Sequence, residues 1–481
     1  MDGSKKIKKN TFYNILKTTS TILFPLITFP YISRVLGPTN IGIINFSNSI
    51  ISYVTLLASL GVSTYGIREC AKRINEKSAV SQTASEIFSI NMCSTIVAYI
   101  LLFCMTICVP KLFEKSTAIF VLSLSIFATT IGCDWINTAY EDLKYVALRT
   151  FVFQIISVIL MFVFVKEPDD YMKYIYISVF ACSGGNVLNV FYRRRYCKIR
   201  FTTKMKIKTH LKSILTVFVL TLSQNIFSNL DITMIGFFRN DYEVGLYSTS
   251  VKIYTIISTL ITAISVVVIP KLSKAYNDKD KEKITQLQKY AFGYIVTLGI
   301  PCIFGINILA KEIIQVIAGT EYVKAAVSLR VLSIALLFAI IGGGFLGNIL
   351  LLPSGNEKIY MIATLVATIL NSIFNIIFIP RNGIVSAAWT TVVSEAVIFI
   401  ILAIKVDGCY IENVLEYLKA PIVAGMIFIP IKYAVKSILG YNLLLYVCTT
   451  IALCIILYVC VLYKAKNKFF ISLIKVEKRS G

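Results

Sequence analysis

Ile155-Ile-Ser-Val-Ile-Leu-Met-Phe-Val-Phe-Val165 is apolar on every side of whatever element it forms, and Val397-Ile-Phe-Ile-Ile-Leu-Ala-Ile404 repeats the pattern. The period-two alternation of a membrane barrel strand is missing from both. A helix without a polar face belongs in lipid or in a deep core. Runs of this kind recur from Phe12 to Tyr463. Each is near the length of about 20 residues that crosses a hydrocarbon layer about 30 Å thick. No water is available there to satisfy the backbone, so the spans must be helical. Composition agrees: 57% of residues are hydrophobic, 15% are charged, and the mean hydropathy is +0.76. An average soluble domain carries about 25% charged residues. The sequence therefore predicts an all-α polytopic membrane protein with about fourteen spans. Their expected limits are 12–34, 41–65, 84–109, 116–139, 146–165, 171–192, 211–238, 246–270, 288–309, 325–352, 358–379, 383–406, 416–439 and 441–463.

The formal charge of +23 would suit a nucleic-acid binder, but its placement argues against that partner. Lys and Arg sit in short clusters between apolar runs, the pattern that sets membrane topology. With the N-terminus in the cytoplasm, about 34 of them fall in cytoplasmic segments and about 12 in outer ones. Both termini are therefore expected on the cytoplasmic side of a plasma (inner) membrane. Lys5, Lys6, Lys8 and Lys9 ahead of an apolar run resemble the start of a signal peptide. That run is too long and has no small-residue cleavage site, so an uncleaved first helix is expected. The twelve Cys mostly lie inside apolar runs, where they act as small hydrophobes, and no CxxC pair offers a metal site. The single His, His210, falls in a basic loop on this reading. No phosphate-binding GxxxxGK[ST] loop is present, so any driving force is an ion gradient or the membrane potential. No cofactor and no catalytic residue is expected.

The most basic stretch, from Arg193-Arg194-Arg195 to Lys212, falls near the middle of the chain and separates two similar halves. On a shift of 203 positions, Thr18, Ser20 and Phe24 meet Thr221, Ser223 and Phe227. Asn40-Ile41-Gly42, Ser47 and Ile50 meet Glu243-Val244-Gly245, Ser250 and Ile253. The shift spans an even number of helices, so the copies share one orientation and are related by a pseudo-two-fold along the membrane normal. The expected organisation is an N-terminal six-helix lobe (1–192), a basic cytoplasmic linker (193–212) and a second six-helix lobe (213–406). Two extra helices with a basic tail (407–481) complete the chain. Two parallel bundles around a midplane cavity form a transporter architecture.

Several spaced motifs now acquire meaning together. Arg34-Val-Leu-Gly-Pro-Thr-Asn-Ile-Gly42 resembles the opening signature of the Wzx-type oligosaccharide flippases. Leu60-Gly-Val-Ser-Thr-Tyr-Gly-Ile-Arg-Glu-Cys-Ala-Lys72 resembles the segment after their second span. Asp134-Trp135 with Glu141-Asp142-Leu-Lys144-Tyr145 is similar to their fourth-to-fifth link. Asn229-Leu-Asp231-Ile-Thr-Met-Ile-Gly236 followed by Val244-Gly-Leu-Tyr247 resembles their seventh-to-eighth signature. Asn382-Gly-Ile-Val-Ser-Ala-Ala-Trp-Thr-Thr391 with Ser394-Glu395 resembles their twelfth span. The resemblance runs from about residue 8 to about residue 405. It implies the multidrug, oligosaccharidyl-lipid and polysaccharide exporter fold. It also implies a substrate, an oligosaccharide repeat unit on an undecaprenyl diphosphate carrier, and a pathway shared with a polysaccharide polymerase and glycosyltransferases.

A diphosphate crossing a low-dielectric interior needs cations along its route, and the planar fork of Arg suits phosphate oxygens. Lys17 and Lys252 lie within apolar spans, where charge usually faces a wet cavity. Their plain alternative is snorkelling to the interface. Arg34, Arg68 and Arg149, at span ends, complete the expected cationic cavity; simple interfacial anchoring is the rival reading. Asp134, Asp231 and Glu395 are acids in apolar surroundings. They are expected either to couple transport to protons or sodium or to hold structural partners such as Lys252. Gly342-Gly343-Gly344 and Gly347 predict close packing or a hinge, and Pro25, Pro30, Pro270 and Pro301 predict helix breaks. A lipid-linked peptidoglycan-precursor flippase and a drug or cation antiporter are rivals of the same fold. A membrane polymerase or ligase would need a long outer loop, and none is present.

Overall fold

A computed structural model describes residues 2–203, 206–406, 413–439, 442–467 and 469–471. For residues 2–12 and 14–23, and for scattered positions between 207 and 224, it describes the backbone alone. Among the described residues every regular element is helical. The chain divides into two compact units, Met1–Gly245 and Leu246–Gly481.

The first unit opens with α1 (Asp2–Ser59), which is one helix by its hydrogen bonds but two by its course. The expected breaks at Pro25 and Pro30 do not occur, because the helix runs through both. It breaks instead at Gly37 (φ 71°), a left-handed conformation that glycine alone adopts freely, with Pro38 starting the next arm. The second arm stops at Ser59, short of the predicted limit of 65. Leu60 (φ 45°) and Gly61 (φ 78°) turn the chain into a separate short helix, α2 (Val62–Ala71). Then follow α3 (Lys77–Cys108), α4 (Pro110–Phe113), α5 (Ser116–Gly132), α6 (Asp134–Ala139), α7 (Leu143–Phe164) and α8 (Tyr171–Tyr192). The predicted fourth span, 116–139, is cut at Cys133, whose left-handed backbone (φ 49°) separates α5 from α6. Next come α9 (Ile207–Phe238) and α10 (Asp241–Thr262), the latter running into the second unit.

The second unit adds α11 (Ser265–Asn277), α12 (Lys281–Ile317), α13 (Ala325–Ala339) and α14 (Glu357–Lys405), the last divided at Gly383 (φ 59°). The tail of α13 winds as a π-helix over Ile340–Leu351. Its glycines serve contact: Gly342 lies against the Phe399 backbone, Gly343 against the Tyr360 hydroxyl and Gly347 against the Tyr360 ring, each so close that a Cβ would fit only if its neighbour moved slightly. The helices α15 (Val414–Met426), α16 (Phe428–Leu439) and α17 (Leu443–Lys464) close the chain.

Ten helices among the described residues are long and apolar enough to cross a membrane. The breaks at Gly37 and Gly383 each divide one helix into two crossings, and α5 and α9 add two more, which restores the fourteen predicted spans.

The repeat shows in the element boundaries. Adding 203 to the second arm of α1, residues 38–59, gives 241–262, the limits of α10. Adding it to the first residue of α2, Val62, gives Ser265, the first residue of α11. A contact carries the same symmetry. A Cβ on Gly42 would meet the Asp241 carbonyl group, and a Cβ on Gly245 would meet the Pro38 carbonyl group. The members of the two contacts interchange on a shift of 203, so they form an isologous pair, the contact a two-fold axis produces.

Candidate functional site

Polar side chains of the first unit gather in a seam between the second arm of α1 and α9. The Ser52 hydroxyl donates to Asn225 Oδ1 (3.1 Å), and Asn229 Nδ2 donates to Ser52 Oγ (3.2 Å). Thr233 donates to Ser49 (2.9 Å) and lies 3.2 Å from the Tyr53 hydroxyl. Asn225, Asn229 and Thr233 recur every four residues, so one stripe of an apolar helix is polar. Within lipid such a stripe demands a partner, and α1 supplies it. Asp231 lies on this helix, half-buried.

A second constellation joins two residues predicted for different roles. Arg149 on α7 is buried and its Nη2 lies 2.6 Å from Asp134 Oδ2. Arg149 is therefore packed inside the protein rather than on its surface. Its Nε and Nη1 and the other oxygen of Asp134 are buried without hydrogen-bond partners. Asp134, the first residue of α6, is 35% exposed. From this pair an aromatic column runs outward. Arg149 stands over the Tyr145 ring, Tyr145 stacks on Tyr192 (centroids 3.3 Å, 7° between planes), and Arg195 stands over Tyr192 and Tyr196. Asp142 accepts from Tyr192, Tyr196 and Arg195. Burial works to raise its carboxyl, but those hydrogen bonds and the Arg195 charge outweigh it and hold Asp142 below the usual carboxylate range.

His210, assigned above to a loop, lies on the first turn of α9 and is 4% exposed. Its Nε2 is 2.9 Å from Glu86 Oε2 and its Nδ1 is 2.7 Å from the Tyr65 hydroxyl. Glu86 also accepts from Gln82 (2.9 Å). The linker ahead of it is strapped to α3. The backbone N–H groups of Lys198, Arg200 and Thr202 donate to the hydroxyls of Ser81, Ser85 and Ser89 (3.2, 3.1 and 2.8 Å). Four helical residues rise about 6 Å, and two extended residues advance about 6.6 Å, so the two repeats keep step. Cys70, Cys133 and Cys197 share one buried cluster behind this strap, where burial pushes the Cys197 thiol up to about 11.

In the second unit Glu395 on α14 is buried and hydrogen-bonded to the Tyr254 hydroxyl. Another polar seam, also buried, links the two arms of α14: Asn375 donates to Asn371 (2.9 Å) and Thr390 donates to Asn375. Lys252 is half-buried on α10. Of the remaining expected residues, Arg34 is exposed at the end of the first arm of α1. Arg68 is exposed on α2, above the Tyr65 ring and 3.5 Å from Glu69. The side chain of Lys17 lies outside the described residues. Between α12 and α17 runs an apolar groove of about 580 Å³, lined by Leu298, Pro301 and Leu309 on one side and Ile451, Cys454 and Val459 on the other. Glu86, Asn225 and Asn371 were missed as site candidates. Their signal was polar residues four apart in an apolar run: Gln82 with Glu86, Asn225 with Asn229, Asn371 with Asn375.

Helical spans in two units, each with buried polar side chains inside its helical packing, are the features of a membrane transporter. The model of the polysaccharide biosynthesis protein family matches residues 7–276, and the MatE model matches residues 217–377. The chain belongs to the polysaccharide biosynthesis protein family. It is 22% identical over 410 residues to a putative O-antigen transporter of Shigella dysenteriae, covering 83% of this chain and 100% of that protein. It is 22% identical over 401 residues to the capsular polysaccharide biosynthesis protein CapF of Staphylococcus aureus, covering 82% and 97%. The inward closed conformation of the lipid II flippase MurJ has the same fold, with a TM-score of 0.76 at 16% identity over 96% of this chain and 100% of that one.

Proposed function

We propose that this protein translocates an oligosaccharide repeat unit, carried on undecaprenyl diphosphate, from the cytoplasmic to the outer leaflet of the plasma membrane for cell-surface polysaccharide assembly. The observation that carries this reading is the family match across residues 7–276. The relatives named as an O-antigen transporter and a capsular polysaccharide biosynthesis protein support the substrate class. Both termini are cytoplasmic on this reading, as the distribution of Lys and Arg favours. The mechanism is alternating access by two six-helix lobes, 1–192 and 213–406, joined by the linker 193–212.

The diphosphate is met by Lys17, Arg34, Arg68 and Lys252, whose charge offsets the cost of taking an anion out of water. Arg149, neutralised in part by Asp134, holds the N-terminal helices in one arrangement and offers its two unpartnered nitrogens to an anion when that pair opens. Glu395 and Asp231 couple the cycle to a proton or sodium gradient. The prenyl chain stays in apolar surroundings, and the groove between α12 and α17 accommodates part of it. No covalent bond changes. Polymerase and glycosyltransferases of the same pathway are the partners.

The test is a flipping assay in proteoliposomes. An undecaprenyl-diphosphate oligosaccharide is loaded, and its exposure to a membrane-impermeant sugar oxidant is followed. Protein-dependent exposure, slowed in Lys252→Ala and Arg68→Ala, is expected. Folded protein that leaves the glycan lipid protected while exporting a cationic dye would point to the antiporter reading instead.

A further inference from the structure

The first turns of α15 and the end of α17 enclose a second pocket, of about 410 Å³, at the same end of the helical pair. Glu416, Lys419, Ala420 and Val423 form one stripe of α15, spaced by three and four residues. Val461, Ala465, Lys466 and Asn467 face them from α17 and its exit. Small Ala420 and Ala465 keep the cleft open, and the two lysines make its rim cationic.

Its depth follows from α17. The apolar run of that helix ends at Tyr463, which is 65% exposed, a residue of the kind that marks the membrane–water boundary. Lys466 lies three residues beyond it. A headgroup layer extends only about 5–7 Å past the hydrocarbon edge, so the pocket lies at headgroup depth. A buried residue packs beside it. Asn467 is 3% exposed, because the chain folds back at Lys466 (φ 49°) and its N–H donates to the Leu462 carbonyl. Its Oδ1 accepts from the Phe470 N–H (3.1 Å), whereas its Nδ2 is buried without a partner.

We infer that this pocket binds the phosphate of a membrane lipid, with Lys419 and Lys466 pairing its charge, and Val423 and Val461 meeting the first carbons of the chains. Glu416 disfavours a second negative charge beside the first, so a phosphodiester such as phosphatidylglycerol fits better than a lipid bearing free phosphomonoesters. The pocket adjoins the apolar groove along α17 but has its own cationic lining.

The experiment is native mass spectrometry of the full chain released from nanodiscs of mixed phosphatidylglycerol and phosphatidylcholine. One phosphatidylglycerol per protein should survive detergent exchange, with phosphatidylcholine lost. Retention should fall about tenfold in Lys419→Gln/Lys466→Gln, and persist in Lys419→Arg/Lys466→Arg. A charge-matched control, Arg194→Gln/Arg200→Gln, should retain it. Competition distinguishes the sources of phosphate: displacement by undecaprenyl phosphate extends the site to the carrier lipid, whereas displacement by millimolar inorganic phosphate overturns the lipid assignment. Equal retention in the Lys419→Gln/Lys466→Gln variant and the control also overturns it.

Discussion

Replacing Gly42 or Gly245 with alanine tests the repeat at its point of closest contact. A Cβ at Gly42 would lie 2.6 Å from the Asp241 carbonyl carbon and 3.0 Å from the Gly245 nitrogen; one at Gly245 would lie 2.7 Å from the Pro38 carbonyl carbon. Carbon atoms rest at about 3.5–4.0 Å, so either substitution demands about 1 Å of separation. The obstructing atoms are backbone and cannot rotate away. Overpacking of this kind costs about 1–3 kcal/mol, against about 1 kcal/mol that alanine gains over glycine within a helix. Gly305, with no atom within 4 Å of an added Cβ, supplies the control. Apparent melting in detergent, followed by loss of the monodisperse species, is the assay. Gly305→Ala should hold or raise the melting temperature, and Gly42→Ala and Gly245→Ala should each lower it. The double variant should fall by less than the two single losses added, because one separation relieves both contacts. Wild-type melting in Gly42→Ala, or strictly additive losses, would refute the reciprocal contact.

Three further outcomes follow from the first unit. Asp134→Asn leaves the Arg149 guanidinium buried without its counter-charge; because Asp134 is partly exposed, the loss should be about 2 kcal/mol rather than the 3–5 of a fully buried pair. Asp134→Asn/Arg149→Gln should recover part of it in a double-mutant melting cycle. Asp142 has a lowered carboxyl, so its stabilisation is present above the unfolded value of about 3.9 and disappears as pH falls through the lower folded value. Wild-type melting should therefore drop more steeply than that of Asp142→Asn below about pH 4. Ser85→Ala removes the acceptor of the Arg200 N–H at a cost of about 1 kcal/mol; hydrogen exchange at residues 198–202 should accelerate while exchange within α3 is unchanged.

The apolar runs, their number and the positive clusters between them were legible in one dimension, because crossing a bilayer imposes a length and a composition on each segment independently of its neighbours. The shift of 203 was legible for the same reason: matched copies keep their spacing. The sequence also supplied the charged residues as a set, although it could not pair them. Arg149 and Asp134 stand 15 positions apart on separate helices, with a left-handed residue, Cys133, turning the chain just before the acid. His210 was read as a loop residue because basic neighbours outweigh a short helical turn; its burial depends on Glu86 and Tyr65, which are distant in the chain. Proline drew attention to positions 25 and 30, yet the break falls at Gly37, because a proline kink can be absorbed when neighbouring helices re-satisfy the backbone, while a positive φ cannot. Partition into lipid is a property of a segment and can be read from its residues. Pairing in space is a property of two segments, and tertiary packing alone decided it.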